Sequence, residues 1–321
     1  MVGSLTETVD DVLSRVRNAL TGEKLRQLDD IASRIVKAEE EFRGFLRAIR
    51  KRPTATFYVN ISKLNRLDRG ATLSVRVSGV ECGEVHLSKR RSERTFTPKH
   101  TEDHFAGCWT ARTRRLPWRD AFVRRYLEAA AKQVLSGDLM HRECGVEAAL
   151  IRELREGRLR YNKPVLFPSK SGVPYQFPVP ITARDEIRPA MGKHAGHVDV
   201  LARHGRGRTS RLRIFEVKRP DAGDAPGALD QAVAYAVALD CLLRRGHAYR
   251  KLLGYPKYLG RLEATAVVAD SNAARSEMSR AKARLGRSAN SLDVTLSMLF
   301  YRWEEQEGER RLALSDDGEI R

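Results

Sequence analysis

"RLRIFEVKRPD", residues 211–221, is apolar enough at its centre to form an inner β-strand, yet it carries an acid and a base. Because alternate residues of a strand share a face, Glu216 and Lys218 point to the same side. The preceding stretch "GHVDVLAR" (196–203) predicts another strand, with Asp199 between two valines. The basic connector between the stretches contains two glycines and predicts a hairpin turn, which places Asp199 across from Glu216.

The predicted facing of Asp199 and Glu216 indicates a metal centre. Two carboxylates that converge in a partly buried site repel one another, so they need a cation if both are to stay ionised. With oxygen ligands and no cage of His or Cys, a hard ion such as Mg²⁺ or Mn²⁺ fits best. Such an ion binds a phosphate oxygen and lowers the pKa of a bound water. Lys218 can hold or help to deprotonate that water and offset phosphate charge, so the pattern predicts phosphodiester hydrolysis.

Helices and strands follow one another on both sides of this stretch. Helical periodicity covers about 119–157, with Asp120 near its start and Gly157 as its stop. The segment "VPYQFPVPI" (173–181) predicts a strand. Later patterns predict a helix, a strand, a helix and a strand at 226–246, 263–270, 274–286 and 292–304. The resulting order α-β-β-β-α-β-α-β predicts a mixed α/β domain over 119–321.

The sequence pattern over residues 1–118 predicts a separate N-terminal region that binds a substrate or a partner. Apolar residues recur at helical spacing over 6–50, which fits either an α-hairpin packed on its own domain or a dimerisation arm of a homo-oligomer. From 54 to 98 the pattern changes to period two with turn residues between, which predicts a small antiparallel sheet.

The charge of the chain indicates a polyanionic partner. Its 321 residues include 59 Lys and Arg against 41 Asp and Glu, a formal net charge of +18. This balance favours nucleic acid, and double-stranded DNA is the expected partner. We expect phosphate contacts in two places: around Trp109 and Trp118, whose rings are candidates for base stacking, and in the connector beside the predicted active site. The arginines are Arg112, Arg114, Arg115, Arg203, Arg206, Arg208 and Arg211.

Other classes of protein lack their signatures. The sequence has no G-x-x-x-x-G-K-[ST] loop, no dinucleotide-binding G-x-G-x-x-G and no H-E-x-x-H. It also has no apolar run of about 18 residues that could cross a membrane, and its first residues do not resemble a signal peptide. The four cysteines are scattered without a C-x-x-C pair, which favours a reducing cytoplasm over a disulfide scaffold or a cysteine zinc site.

Asp199, followed 17 residues later by Glu216-Val217-Lys218 in an apolar strand, resembles the motif of the PD-(D/E)XK, or restriction-endonuclease-like, nuclease superfamily. The resemblance covers about 140–270. It implies an αβββαβ core with a central mixed sheet, preceded here by the helical and small β region. It also implies that Asp199, Glu216 and the backbone carbonyl of Val217 bind the metal, and that Lys218 is the catalytic lysine. Val198 stands where the name of the motif has proline.

The resemblance extends to two helices. A glutamate in the helix before the sheet often completes the site in this family, and Glu147 is the candidate, with Glu143 and Glu153 as rivals. In the helix after the lysine, Gln231 and Tyr235 lie four residues apart and therefore on one face. They resemble the Q-x-x-x-Y element of RecB-like members, which supports the active site and contacts DNA.

These patterns predict a metal-dependent nuclease that acts on DNA, with restriction or phage defence as the expected setting. The alternative from another class is a non-catalytic nucleic-acid-binding protein that keeps the nuclease fold. A third hypothesis is an assembly subunit in which the helices over 6–50 matter most. The patterns leave open DNA against RNA, endonuclease against exonuclease, and sequence specificity.

Overall fold

The computed structural model describes most of the chain beyond residue 56. The described ranges are 57–61, 70–88, 94–99, 114–133, 142–159, 162–164, 166–167, 173–179, 196–205, 211–220, 225–253, 260–289, 294–306 and 308–316, together with 109 and, before 57, residues 14, 18, 21–23, 25, 26, 29, 33 and 45. Within these residues the protein is mixed α/β with two sheets.

The elements follow the predicted succession closely. In chain order the strands are β1 (Phe57–Ile61), β2 (Gly70–Val77), β3 (Val80–Ser88), β4 (Arg94–Pro98), β5 (Leu116–Pro117), β6 (Asn162–Pro164), β7 (Leu166–Phe167), β8 (Val173–Val179), β9 (Gly196–Val198), β10 (Val200–His204), β11 (Arg211–Val217), β12 (Leu262–Ala269), β13 (Val294–Gln306) and β14 (Glu309–Asp316). The helices are α1 (Ala121–Gln133), α2 (Glu143–Arg155), α3 (Ala225–Arg245), α4 (His247–Leu252) and α5 (Asn272–Ala289).

The first sheet runs in the order β5-β4-β3-β2-β1-β8-β7, with β9 paired to β8. Strands β1 to β4 are antiparallel neighbours, which confirms the small sheet predicted over 54–98. Strand β8 then joins β1 in parallel, and the hydroxyl of Tyr126 in α1 donates to the carbonyl of Cys82 at 2.6 Å. The first sheet is therefore not confined to residues 1–118, and the core continues across that predicted boundary.

The second sheet runs in the order β14-β13-β12-β11-β10-β6. Strands β10 and β11 are antiparallel, as predicted for a hairpin. Strands β11, β12 and β13 are parallel, and the long helices α3 and α5 supply the crossovers that parallel neighbours require. The sequence pattern did not predict β14, which pairs with β13 at the edge.

Strand β11 is buried on both faces, which explains its apolar sequence. Leu212 and Ile214 belong to the core that includes α3, whereas Phe215 and Val217 belong to a second core that includes α2. This alternation follows from the two-residue period of a strand. An acid at the end of such a strand therefore enters the protein interior.

Both predicted ends of the 119–157 segment are confirmed. The carboxylate of Asp120 accepts the backbone N–H of Phe122 at 2.8 Å, which caps the start of α1. Gly157 has φ 75°, and the following N–H of Arg158 bonds to the carbonyl of Glu153 at 3.0 Å. This left-handed glycine terminates α2.

Several described residues of 6–50 contact the rest of the protein, among them Leu25, which packs against the main core. Phe45 is buried, with its ring 5.8 Å from that of Trp118 in an edge-on arrangement. Asp29 accepts the backbone N–H of Ala248 at the start of α4 at 3.1 Å. These contacts favour helices packed on their own chain; most residues of 6–50 lie outside the described part, and dimerisation stays a prediction.

The predicted stacking surface around the tryptophans is not what the structure shows. Trp109 packs edge-on against the buried Tyr126 with ring centroids 5.3 Å apart, and Trp118 packs against Phe45. Both rings are thus partly buried in the aromatic core, because the neighbouring strands and α1 are apolar on the facing side. Arg114 and Arg115 are exposed beside them, whereas Arg112 lies outside the described residues.

No helix in the described part of the chain is long and apolar enough to cross a membrane.

Candidate metal centre

Asp199 and Glu216 meet at the open end of the β10–β11 hairpin. Val200 pairs with Phe215, and continuing that register places Asp199 opposite Glu216. Asp199 is the single residue between β9 and β10, and its Oδ2 accepts the backbone N–H of Val217 at 2.8 Å. The predicted juxtaposition of the two acids is therefore confirmed.

Lys218 connects Glu216 to helix α3. Its Nζ lies 2.8 Å from Glu216 Oε1 and 3.1 Å from Gln231 Oε1. Gln231 in turn donates from its amide nitrogen to the hydroxyl of Tyr235 at 2.9 Å. The predicted shared faces are confirmed, both for Glu216 with Lys218 and for Gln231 with Tyr235. The chain of contacts fixes the ammonium group beside the acids.

The backbone of Lys218 is held on both sides after β11 ends. Its N–H bonds to the carbonyl of Val267 in β12 at 2.9 Å. Its carbonyl accepts the hydroxyl of Tyr301 in β13 at 2.9 Å. Tyr301 is buried and was not identified from the sequence, because a single tyrosine in an apolar strand gives no local signal of such a contact.

Helix α2 adds two carboxylates from its first turns. Glu143, Glu147 and Asp199 each offer an oxygen, and these oxygens lie within 4.8 Å of one another. The structure thus places the candidate Glu147 and its rival Glu143 together, as their one-turn spacing in sequence could have indicated. The other rival, Glu153, is directed elsewhere and pairs with Arg158.

Burial and mutual repulsion make the acids hard to ionise. Burial, together with the charge of Glu143, raises the pKa of Asp199 to about 7, although the N–H of Val217 opposes this shift. Burial and the neighbouring Asp199 raise the pKa of Glu216 well above its usual range, against the effect of Lys218. Without a further cation, burial therefore disfavours the charged forms of Asp199 and Glu216.

Lys218 remains a cation in this setting. Burial alone would lower the pKa of Lys218, but the carboxylates of Glu216 and Asp199 outweigh it and raise the pKa. Burial and the charge of Glu216 likewise raise the pKa of Tyr235, so its phenol stays neutral. The lysine is accordingly suited to offset negative charge, and not to act as a base in the metal-free state.

The donor set fits a hard divalent cation. Glu216 is 1% exposed, and its Oε2 is buried with no hydrogen-bond partner among the described residues. All side-chain donors are carboxylate oxygens, which Mg²⁺, Mn²⁺ and Ca²⁺ prefer. Asp199, Glu143 and Glu147, whose oxygens lie close together, could hold the ion, and Glu216 lies next to Asp199 as a further candidate ligand. Ligation by the Val217 carbonyl stays a prediction, since the contact observed there is through its N–H.

Two of the four arginines predicted to lie beside these acids, Arg203 and Arg211, are elsewhere. Arg203 and Arg211 are at the closed end of the hairpin, roughly 13 Å and 16 Å along the strands from Asp199 and Glu216 respectively. Arg203 donates to the carbonyl of Leu253, and Arg211 donates to the hydroxyl of Thr295. The expectation was wrong because a hairpin turn and the open end of its strands are at opposite ends. Arg206 and Arg208 lie outside the described residues.

No family model, curated protein or solved structure matches this chain. What the centre can do must therefore follow from its own geometry and charge. Those features are a buried acidic cluster, one lysine in contact with it, and partial exposure at Glu143 and Lys218 through which a substrate could approach.

Proposed function

We propose that this chain is a metal-dependent nuclease that hydrolyses phosphodiester bonds in DNA. The observation that carries the proposal is the cluster of Glu143, Glu147 and Asp199, beside which Glu216 contacts the ammonium group of Lys218. Like charges buried together are strongly unfavourable unless a cation compensates them. A divalent ion supplies that compensation and also the chemistry of phosphate hydrolysis.

The succession of elements around the site supports the PD-(D/E)XK assignment. Among the elements of the second sheet and its helices, α2 is followed by β6, β10, β11, α3 and β12, which is an αβββαβ order. Between β6 and β10 the chain also forms β7, β8 and β9, so the strand predicted over 173–181 belongs to the first sheet and not to this core. Strands β6, β10 and β11 are antiparallel neighbours, and β12 adds in parallel. The resulting mixed sheet carries the acid pair at the ends of β11 and β10, where the motif of that superfamily requires it.

Each residue has a distinct part in the proposed chemistry. Bound Mg²⁺ or Mn²⁺ would lower the pKa of a ligated water and offset charge on a phosphate oxygen. Asp199, Glu216 and the glutamates of α2 hold that ion. Lys218, kept protonated and oriented by Gln231, contributes positive charge next to the phosphate and the attacking water. The hydroxyl of Tyr235 accepts a hydrogen bond from the amide nitrogen of Gln231 and so orients that amide.

The formal net charge of +18 supports a polyanionic substrate. Lys and Arg attract DNA through its phosphates without reading sequence, so this term gives affinity and steering. Cleavage of closed-circular DNA is the endonucleolytic activity that a role in restriction or phage defence requires.

The test is cleavage of supercoiled plasmid and of linear DNA by four proteins: wild type, Asp199→Asn, Lys218→Met and Asp240→Asn. The last is the control, because Asp240 is a buried acid that pairs with Arg244, outside the acidic cluster. We expect wild type and Asp240→Asn to cleave with Mg²⁺ or Mn²⁺ and to stop in EDTA. The two site variants should be at least about 100-fold slower.

Equal rates for all four proteins would overturn the proposal. Tight DNA binding by wild type without cleavage of any substrate would instead support the alternative, a nucleic-acid-binding protein with a nuclease-like fold. Binding is measured by fluorescence anisotropy in EDTA at a stated salt concentration, because affinity for DNA depends steeply on salt.

A further inference from the structure

The β2–β3 hairpin of the first sheet ends in a turn of two residues. Val77 pairs with Val80, and between them Ser78 has φ 45° and Gly79 has φ 98°. Two consecutive residues with positive φ are typical of a type I′ turn, which matches the twist of the flanking strands. Gly79 nevertheless is buried, which is unusual for the tip of a hairpin.

The turn is buried because it abuts the first turn of α2. A Cβ placed on Gly79 would lie 2.1 Å from the carbonyl oxygen and 2.4 Å from the carbonyl carbon of Cys144. Only a residue without a side chain allows this approach of backbone to backbone. Cys144 follows Glu143 directly and precedes Glu147 by less than one turn, so the contact falls between the two acids of the helix.

The start of α2 depends on such contacts for its position. Its N-cap residue, Arg142, makes no side-chain capping hydrogen bond. Cys144 and Val80 are both partly buried against the main core. On the hairpin, Arg76 donates a long hydrogen bond of 3.4 Å to the carbonyl of Gly79 and so helps to hold the turn in its conformation. The turn at Gly79 is therefore in direct backbone contact with the first turn of α2 and limits how far that turn can approach the hairpin.

We infer that Gly79 is a positioning residue for the metal centre: the β2–β3 turn sets where Glu143 and Glu147 stand relative to Asp199. This inference rests on the proposed metal site and extends it to the first sheet.

The physical basis is the narrow tolerance of metal ligation. Ligand distances vary by only about 0.2 Å in a competent site. A Cβ at Gly79 would have to move the backbone of Cys144 by more than that, because atoms at 2.1 Å overlap strongly and a carbonyl has no rotamer to change. The displaced helix would carry Glu143 and Glu147 away from Asp199.

The test compares Gly79→Ala with Gly308→Ala by calorimetric titration of Mn²⁺ at pH 8 in the absence of DNA. Gly308 is the matched control: it has φ 76° in the turn between β13 and β14, and a Cβ there meets nothing within 4 Å. Both substitutions carry the penalty of positive φ, and Gly79→Ala should lower stability further because of its overlap with Cys144. Only Gly79→Ala should weaken Mn²⁺ binding, by about tenfold or more, whereas Gly308→Ala should stay within about twofold of wild type.

A milder variant guards against failure of Gly79→Ala to fold. Arg76→Lys keeps the charge but removes the guanidinium hydrogen bond to Gly79, and we expect about threefold weaker Mn²⁺ binding. Folding of each variant is verified by circular dichroism and by its unfolding transition. Unchanged Mn²⁺ affinity in Arg76→Lys and in any folded Gly79→Ala would overturn the inference.

The same titration separates this inference from the proposed function. Absence of Mn²⁺ binding by wild type would overturn both. If wild type binds Mn²⁺ but cleaves no DNA, the nuclease proposal fails, and the variants still decide the role of Gly79. If wild type binds and cleaves while Gly79→Ala binds as wild type does, only the positioning role fails.

Discussion

Glu216 and Glu263 are buried acids on the adjacent strands β11 and β12, but their surroundings are opposite. Glu263 Oε1 lies 3.0 Å from Arg213 Nε and accepts the hydroxyl of Ser297 at 2.9 Å, while its Oε2 lies 2.6 Å from Nδ1 of His204. Glu216 contacts Lys218 with one oxygen, and its other oxygen lacks a partner in the described part of the chain.

The pKa values of the two acids move in opposite directions. Burial alone would raise the pKa of Glu263, but the hydrogen bond with His204 and the charge of Arg213 lower it below its usual value. For Glu216, burial and the charge of Asp199 raise the pKa. A buried acid whose hydrogen-bond partners are complete stabilises the fold, whereas one whose partners are incomplete indicates a missing ligand. Glu263 in β12 is an acid of the first kind, and Glu216 in β11 is an acid of the second kind.

The largest expected effect comes from removing each charge in turn. Glu216→Gln should slow metal-dependent cleavage by about 1,000-fold, because a metal ligand is lost, while the free energy of unfolding stays equal or rises slightly as repulsion with Asp199 disappears. Glu263→Gln should lower the free energy of unfolding by about 3 kcal/mol, because Arg213 is left as an uncompensated buried charge. Urea denaturation and plasmid cleavage measure the two quantities.

This pair of variants also contains its own control, since both replace a buried glutamate by its isosteric amide. A Glu263→Gln protein that folds should retain Mn²⁺ affinity within about twofold. If Glu216→Gln proved the more destabilised of the two, the assignment of one acid to function and the other to stability would be contradicted.

The next effect is the pH dependence of metal binding. The raised pKa of Asp199, about 7, means that the folded metal-free protein holds a proton which the unfolded chain releases near pH 4. Its contribution to stability is thus present at low pH and is lost as pH rises from about 4 to about 7. Mn²⁺ must displace such protons, so its affinity should rise roughly tenfold per pH unit per proton below pH 7.

Calorimetry at pH 6, 7 and 8 in buffers of different ionisation enthalpy measures both the affinity and the protons released. Asp199→Asn should flatten the fall in metal-free stability between pH 4 and 7. A metal affinity that does not change over this range would show that the binding carboxylates are already ionised, contrary to the burial of the site.

The smallest expected effect concerns the backbone of Lys218. Tyr301→Phe removes the hydroxyl that donates to its carbonyl, so the ammonium should be less well placed and kcat about fivefold lower with KM little changed. Tyr126→Phe is the control, because Tyr126 is equally buried and its hydroxyl also donates to a backbone carbonyl, that of Cys82. Both variants should lose about 1 kcal/mol of stability. Equal kcat in the two variants would assign Tyr301 to the fold alone.

Short-range periodicity predicted much of the site correctly. The alternation in "RLRIFEVK" and "HVDVLAR" was sufficient to place Asp199 across from Glu216, because the register of a hairpin is fixed by its turn and by its buried face. The four-residue spacing of Gln231 and Tyr235 correctly predicted one helical face, on which the two side chains contact each other and Gln231 also contacts Lys218.

Contacts between distant segments could not be predicted in this way. The parallel pairing of β1 with β8 joins residues more than 100 positions apart, and no local pattern encodes it. The approach of Gly79 to Cys144 is equally long-range, although "SGVECGE" does indicate a turn. The misplaced arginines were a different error: the predicted hairpin itself implied that Arg203 and Arg211 lie away from its open end.

The most direct test of the central claim, that the acids around Asp199 and Glu216 hold a divalent cation, is anomalous X-ray scattering from crystals grown with Mn²⁺. The account predicts an anomalous peak bounded by the carboxylates of Asp199, Glu216 and the α2 glutamates in wild type, and its loss in Glu216→Gln. No peak among these carboxylates at millimolar Mn²⁺, or a peak that persists unchanged in the variant, would contradict it.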